Sequence, residues 1–160
     1  NDDWAISFWF HSTDLGVFVP LCGHYASSGS QRAWYLGVDW AASNKLLVDL
    51  SHDGGTPMTR VLSTGVTTSA AWNFAYFAHD GANDLLLLSV NGEAANTAAH
   101  STGVHATTAP FKLGQVDTAV YSLARMESVS YWYGTGSIKS TAEIAALYGG
   151  GYGNPWIEGR

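Results

Sequence analysis

One short stretch of the chain, "GHYASSGSQRAWYLGVDW" at residues 23–40, concentrates side chains that suit ligand binding. Tyr and Trp rings offer flat apolar surfaces with a polar rim, which match the C–H faces of sugars. Charged groups beside such rings can bind sugar hydroxyls. The sequence therefore predicts a carbohydrate-binding surface made by Tyr25, Arg32, Tyr35, Asp39 and Trp40.

Strand alternation supports part of this grouping. If Trp34 and Leu36 face the interior, Tyr35 and Asp39 face outward together. The chain has seven Trp and eight Tyr, more than a sandwich core needs, so some rings are expected in solvent. The alternative is that the surplus rings cover sheet faces or a contact between subunits.

The carboxylates do not form a pattern typical of glycoside hydrolysis. That reaction needs two carboxylates about 5–10 Å apart, and residues two apart on a strand share a face. None of the four glutamates, Glu93, Glu127, Glu143 and Glu158, has an acidic residue two positions away. The chain is therefore expected not to be an enzyme, the alternative being an acid pair assembled from distant loops.

One turn of the chain carries oxygen donors that suit a hard cation such as calcium. The single cysteine, Cys22, excludes a disulfide within the chain and a cysteine-cluster zinc site. Hard cations take carboxylate, amide and backbone oxygens from loops, and the turn "HDGAND" offers Asp80, Asn83 and Asp84. The sequence predicts a calcium site there, with ordinary turn hydrogen bonding by Asp and Asn as the alternative.

Alternating apolar residues predict the elements that must position these side chains. The segments "WAISFWFH", "AWYLGVDW", "KLLVDLS", "AWNFAYFAHD", "DLLLLSVNG", "FKLGQV" and "RMESVSYWY" have the character of strands. Turn signals separate them, including Asn91-Gly92, a pair that suits a tight hairpin turn. Many short strands at near-regular spacing predict an all-β, two-sheet antiparallel sandwich.

A single short helix is predicted near the end, in "STAEIAALYGG" at residues 140–150. Ser140 and Glu143 form a capping-box pattern, and Gly149 provides a C-terminal stop. Ile144 lies on the apolar face of this helix. A helix this short is unstable alone, so its apolar face must dock on the sandwich.

Four motifs in order resemble the laminin-G-like domains of the concanavalin A-like lectin/glucanase superfamily. They are "WAISFWF", "AAWNFAYFAHDGANDLLLLSVNGE", "FKLGQ" and "ARMESVSYWYGTGSIKSTAEIAALYGGG", spanning residues 4–148. The resemblance implies a jelly roll of two antiparallel sheets with one short C-terminal helix. It also implies calcium, which many members bind, and it places hydrolytic relatives' acids in a Glu-x-Asp-x-x-Glu pattern that this chain lacks.

The chain departs from that family at its start. Members usually have another strand before the one matched by residues 4–10, whereas only three residues precede Trp4. Either the chain is shortened or another segment takes that place. A missing strand would leave an open sheet edge, which the C-terminal tail or a neighbouring subunit could cover.

Length and charge limit the classes of partner. We expect one domain over residues 1–156, and we interpret residues 157–160, IEGR, as the remnant of a tag-removal protease site. Seven Lys and Arg against thirteen Asp and Glu give a net charge of −6 without a basic cluster. Nucleic acid and anionic membrane surfaces are therefore not expected as partners, and no apolar run is long enough for membrane insertion.

Two functions follow as hypotheses. The first is a non-catalytic recognition module that binds carbohydrate on a cell or polymer surface. The alternative is a structural, assembly or adhesion domain of a larger extracellular or virion protein, such as a phage fibre or capsid decoration. That alternative includes homo-oligomers or neighbouring domains, and both hypotheses imply an extracellular or virion-surface location.

Overall fold

The computed structural model describes residues 2–117 and 120–151, so residues 157–160 lie outside the described part. Its strands are β1 (Trp4–Ser12), β2 (Val19–Ala26), β3 (Gln31–Asp39), β4 (Lys45–Gly54), β5 (Thr59–Leu62), β6 (Ala71–Asp80), β7 (Leu85–Val90), β8 (Asn96–Ala99), β9 (Phe111–Leu113), β10 (Gln115–Val116), β11 (Val120–Tyr121) and β12 (Arg125–Tyr133). The helix α1 covers Thr141–Tyr148, and short 3₁₀ turns cover Trp40–Ala42 and Gly149–Gly151.

Two five-stranded antiparallel sheets make up the sandwich. Sheet I has the order β12-β1-β6-β7-β8, and sheet II has the order β5-β4-β3-β2-β9. The strands β10 and β11 form a separate two-stranded ribbon. The all-β sandwich with one short C-terminal helix, predicted from the sequence, is confirmed.

The core lies between the sheets and follows the predicted alternation. Strand β1 contributes Ile6, Phe8 and Phe10, and β3 contributes Leu36 and Val38, all fully or almost fully buried. Cys22 is buried in the same core, where burial raises the pKa of its thiol. An inert thiol, rather than a nucleophile, is what such an apolar setting produces.

The helix α1 docks on the outer face of sheet I. Ile144 packs there with Trp9 and Tyr76, and the ring of Tyr148 stacks on Trp9 at 5.5 Å. At the start of the helix, the Ser140 N–H donates to the Glu143 carboxylate at 2.8 Å, and the Glu143 N–H donates back to the Ser140 hydroxyl at 3.3 Å. The predicted capping box is thus present.

Tyr76 ties the segment before α1 to the sheet. Its buried hydroxyl accepts a hydrogen bond from the Lys139 N–H at 2.8 Å, and burial raises the pKa of Tyr76 to about 12. Tyr76→Phe would leave that N–H without its acceptor, so the unfolding free energy is expected to fall by about 1–2 kcal/mol in urea denaturation.

Tyr148→Phe is the matched control for this loss. Within residues 2–117 and 120–151 the Tyr148 hydroxyl makes no hydrogen bond, although its ring packs beside the same helix. We expect Tyr148→Phe to change the unfolding free energy by less than about 0.5 kcal/mol. Equal losses for the two variants would contradict the proposed role of the Tyr76 hydroxyl.

Several local details differ from the sequence-based prediction. The segment "FKLGQV" divides into β9 and β10 at Gly114, which has a φ of +69°. Strands β2, β5, β8 and β11 were not predicted, because they are short or lack clear alternation. The predicted tight turn is present, with Asn91 at φ +52° and Gly92 at +75°.

The two sides of the sandwich differ. Where β8 and β5 meet, the Asn96 side-chain amide donates to the Leu62 carbonyl at 2.9 Å and links the sheets. On the opposite side, where β12 and β9 are the edge strands, an apolar cleft of about 520 Å³ separates them.

Sheet II also differs from sheet I because α1 covers the outer face of sheet I alone.

Candidate functional site

A row of residues crosses the outer face of sheet II, one on each strand. Backbone register aligns Arg60, Asp49, Tyr35, Gly23 and Lys112 on β5, β4, β3, β2 and β9. Neighbouring strands lie about 4.8 Å apart, so this row is about 19 Å long. We call it the cross-sheet row, and it has the length of a short oligosaccharide-binding surface.

Asp49 is the centre of its hydrogen-bond network. Arg60 donates to both carboxylate oxygens, from Nε at 2.8 Å and from Nη2 at 2.7 Å. The Tyr35 hydroxyl donates to Asp49 Oδ2 at 2.5 Å. The Asp49 side chain is only 8% exposed while that of Arg60 is 52% exposed, so a buried anion holds a half-exposed cation in place.

Tyr35 and Arg60 both keep their protons near neutral pH. Burial, followed by the hydrogen bond to Asp49, raises the pKa of Tyr35, which therefore remains a neutral donor. The hydrogen bond to Asp49 raises the pKa of Arg60. A guanidinium carries five N–H donors, and two contact Asp49, which leaves three without partners among the described residues.

Aromatic rings stand beside this network. The ring of Tyr25 meets that of Tyr35 edge to face at 5.1 Å, and the ring of Phe18 also meets that of Tyr35 edge to face, at 5.8 Å. Gly37 makes room for Phe18, since a Cβ atom there would lie 2.5 Å from the Phe18 ring. Ring surface and hydrogen-bond donors thus adjoin one another on a sheet face that α1 does not cover.

The five predicted binding residues do not gather at one place. Tyr25 and Tyr35 are neighbours, as predicted. Arg32 lies at the opposite end of β3 from Asp39, about 23 Å away at about 3.3 Å per residue. Its guanidinium donates to the Ser27 and Gly54 carbonyls.

Asp39 and Trp40 lie where β3 leaves the sheet. The Asp39 carboxylate accepts from the Ala41 N–H at 3.0 Å and caps the short 3₁₀ turn. Trp40 is 56% exposed. These two residues therefore border the outer face of sheet II at one end, rather than sharing a pocket with Arg32.

The sequence-based reasoning did not identify Asp49 and Arg60. The segment "KLLVDLS" was interpreted for its apolar phase, in which Leu46, Val48 and Leu50 face the core. Residues that alternate with these three, including Asp49, must point to the other face of the sheet. The alternation therefore indicated that the Asp49 carboxylate faces outward. Pairing with Arg60 depends on strand register, which alternation alone does not supply.

Exposed rings occur in a second region as well. Tyr131 and Tyr133 on β12 are exposed, whereas Trp132 between them packs on the outer face of sheet I with α1. The surplus of aromatic residues thus divides between core, sheet II and the β12 edge. The expectation that some rings remain in solvent is confirmed.

The turn at residues 80–84 uses its polar groups internally. The Asp80 carboxylate accepts from the Asn83 N–H at 2.9 Å and from the Asn83 side-chain amide at 2.8 Å. The Asp84 carbonyl accepts from the His100 N–H at 2.7 Å. Across residues 2–117 and 120–151, no three His, Cys, Asp or Glu side chains are grouped to hold a metal ion. Calcium binding by Asp80, Asn83 and Asp84 stays a prediction.

Comparisons with known proteins identify the fold alone. No protein-family model and no curated protein sequence matches the chain. Solved structures do match. The CBM40 domain of the Ruminococcus gnavus IT-sialidase has a TM-score of 0.67 at 16% identity, with 92% of this chain and 83% of that one covered. The matching structures are jelly-roll β-sandwich domains, which is consistent with a concanavalin A-like fold for this chain.

Two further structures show the same fold in other settings. The receptor-binding domain of botulinum neurotoxin mosaic serotype C/D has a TM-score of 0.64 at 14% identity; 93% of this chain covers 36% of that one. The SAP-like pentraxin of Limulus polyphemus has a TM-score of 0.62 at 10% identity, covering 91% and 69%. The chain thus spans about a third of the toxin domain. Membership of the laminin-G group stays a prediction.

Proposed function

We propose that the protein is a non-catalytic recognition module that binds carbohydrate on the outer face of sheet II. The observation that carries this proposal is the half-exposed Arg60, fixed by the buried Asp49 beside the rings of Tyr35 and Tyr25. Sugar hydroxyls or carboxylates would accept from the remaining Arg60 donors. Sugar C–H faces would pack on the rings.

Preorganisation makes this face suitable for binding. The Arg60 guanidinium is held at two points and Tyr35 at one, so little side-chain freedom remains to be lost when a ligand arrives. Gly23 on the neighbouring strand lets Tyr35 pack closely, since a Cβ atom there would lie 2.8 Å from the Tyr35 Cα atom.

Structural neighbours support a binding role. The Ruminococcus gnavus CBM40 domain has been solved with α2,3-sialyllactose and with α2,6-sialyllactose bound. The carboxylates of this chain favour the same class of function. Asp49 accepts from Arg60 and Tyr35, Glu93 accepts from the Gly65 N–H, and Glu143 caps α1. Structural hydrogen bonds therefore occupy these acids.

We propose in addition a calcium site at residues 80–84 and a location outside the cell or on a virion surface. A calcium ion would take oxygens from Asp80 and Asp84 and from Asn83 after rotation of its amide. A module that reads glycans on a cell or polymer surface belongs outside the cell or on a virion. Within the described ranges, the chain has no helix long and apolar enough to cross a bilayer.

A glycan array is the direct test. The protein is applied to neutral and acidic glycans in calcium and in EDTA, and the strongest ligand is then titrated by calorimetry. We expect binding with a dissociation constant in the micromolar to millimolar range, since the face is open and shallow. Absence of binding to all glycans in both conditions would contradict the proposal. Binding abolished by EDTA and by Asp84→Asn would support the calcium site.

The assembly alternative rests on a different surface. The exposed rings of β12 lie at a sheet edge, away from the cross-sheet row. They favour contact with another chain over contact with a sugar, because the edge also offers unpaired main-chain groups.

A further inference from the structure

Strand β12 has one edge that is not paired within the described residues. It pairs with β1 on one side and is the outermost strand of sheet I. Nowhere in residues 2–117 and 120–151 does another strand pair with its far side. Main-chain N–H and C=O groups along such an edge form a template for a further strand.

This edge lacks the features that normally prevent strand addition. Residues 129–133, "VSYWY", contain no charge and no proline, and they are rich in residues that favour strands. Val129, Tyr131 and Tyr133 are 41%, 59% and 64% exposed. An exposed, uncharged, aromatic edge of this kind is typical of an interface.

A bulge defines where this edge begins. The register of β12 against β1 shifts between Ser7 and Trp9, and Ser128 has a φ of +52°. Glu127 pairs with Trp9, which lies on the outer face of sheet I. The Glu127 side chain therefore points away from the side on which Val129 and Tyr131 lie.

The apolar cleft opens beside the same residues. Val129 and Tyr131 line it together with Trp4, Trp34 and Phe111, and Tyr131 stacks on Trp4 at 6.2 Å. Its lining includes no Lys, Arg, Asp or Glu. A small apolar ligand would fill the cleft but leave the β12 main chain unpaired, whereas an added strand satisfies the main chain and covers the cleft mouth.

We propose that β12 pairs antiparallel with β12 of a second copy of this chain, with Tyr131 at the two-fold axis. This register places Val129 opposite Tyr133 of the second copy and Ser130 opposite Trp132. The two sheets I then join into one continuous sheet across the axis.

The edge is self-complementary in this register. Each cross-strand pair joins an aromatic ring with an aromatic, β-branched or small polar side chain, and none joins two like charges. A C2 interface requires such self-complementarity, because the same patch meets itself. Residues 129–133 contain no charged side chain, so this edge offers nothing that would attract a partner of opposite charge.

Sedimentation velocity on the whole chain tests the association. Five residues from each copy make a small interface, so we expect a monomer–dimer equilibrium with a dissociation constant in the micromolar range or above. The protein is measured from about 5 to about 500 µM, a range chosen to bracket such an equilibrium. The proposal would be overturned if the protein remained monomeric at every concentration. It would equally be overturned if the protein remained monomeric while its cleft bound the uncharged dye N-phenyl-1-naphthylamine.

Two matched lysine variants separate this edge from general surface effects. Val129→Lys places a charge beside the two-fold axis and is expected to weaken dimerisation at least tenfold. Val17→Lys makes the same change at a loop residue that is 55% exposed and is expected to leave dimerisation unchanged. Circular dichroism and thermal unfolding verify that both variants fold. A folded Val129→Lys variant that dimerises like the wild type would overturn the proposal.

Engineered disulfides then test the register. In the variant with both Val129→Cys and Tyr133→Cys, the cysteine at position 129 faces the cysteine at position 133 of the second copy. Oxidation should therefore give a covalent dimer. Each single variant places its two cysteines four strand residues apart, about 13 Å, and should stay monomeric under denaturing conditions. Cys22 is fully buried and does not interfere. Covalent dimers from both single variants, or none from the double variant, would overturn this register.

Discussion

Arg60→Met is expected to lower carbohydrate affinity about 10- to 100-fold, because it removes the charged donors of the cross-sheet row while retaining the apolar stem. The variant also leaves the Asp49 carboxylate, whose side chain is 8% exposed, with Tyr35 as its remaining side-chain donor. We expect the unfolding free energy to fall by about 2 kcal/mol. Removing one partner of a fully buried ion pair costs about 3–5 kcal/mol. The loss here is expected to be smaller, because half of the Arg60 side chain is in water.

Arg32→Met is the control for this effect. Arg32 was among the residues predicted from the sequence, but its guanidinium bonds the Ser27 and Gly54 carbonyls away from the cross-sheet row. We expect Arg32→Met to keep carbohydrate affinity within about twofold, a change of less than about 0.5 kcal/mol. Titration calorimetry with the strongest array ligand gives the affinities, and urea unfolding gives the stabilities.

The reverse result would relocate the site. If Arg32→Met abolished binding and Arg60→Met did not, the ligand would bind at the β2–β3 turn rather than on the sheet face. Tyr35→Phe sharpens the comparison, because it keeps the ring and removes the hydroxyl that donates to Asp49. We expect it to weaken binding less than Arg60→Met does, since the Arg60–Asp49 contact remains.

Gly54→Ala is expected to lower the unfolding free energy by about 3 kcal/mol or more. Gly54 has a φ of +82°, where an L-residue loses about 1–2 kcal/mol. Its added Cβ atom would also lie 2.1 Å from the Ser30 carbonyl oxygen and 2.8 Å from His105 Nε2. Because the first of these atoms belongs to the backbone, the turn before β3 would have to move away from the end of β4, at a further cost of about 1–3 kcal/mol.

Gly136→Ala isolates the backbone part of this cost. Gly136 has a φ of +83°, but an added Cβ atom would meet no atom within 4 Å. We expect a loss of about 1–2 kcal/mol for Gly136→Ala, from the conformation alone. Urea unfolding of both variants gives the steric cost by difference. Equal losses would contradict the close packing of Gly54 against Ser30.

The candidate site shows what alternation can and cannot predict. The outward direction of Tyr35 followed from the inward direction of Trp34 and Leu36, and this was confirmed. The partners of Tyr35 did not follow, because Asp49 and Arg60 lie on strands 14 and 25 residues further along the chain. Which residues of neighbouring strands face each other depends on register, and register is set by turns and by packing of the whole sheet.

By itself, the sequence determined the local structure of this protein. Apolar residues at every second position produced the strands, and Ser140, Glu143 and Gly149 defined the ends of α1. Both follow from the local sequence, because strand faces and helix caps depend on residues close together in the chain. The tertiary structure alone brought Arg60, Asp49 and Tyr35 into one row and left one edge of β12 unpaired. Both features depend on contacts between distant segments, which form only when the two sheets assemble and bury the core.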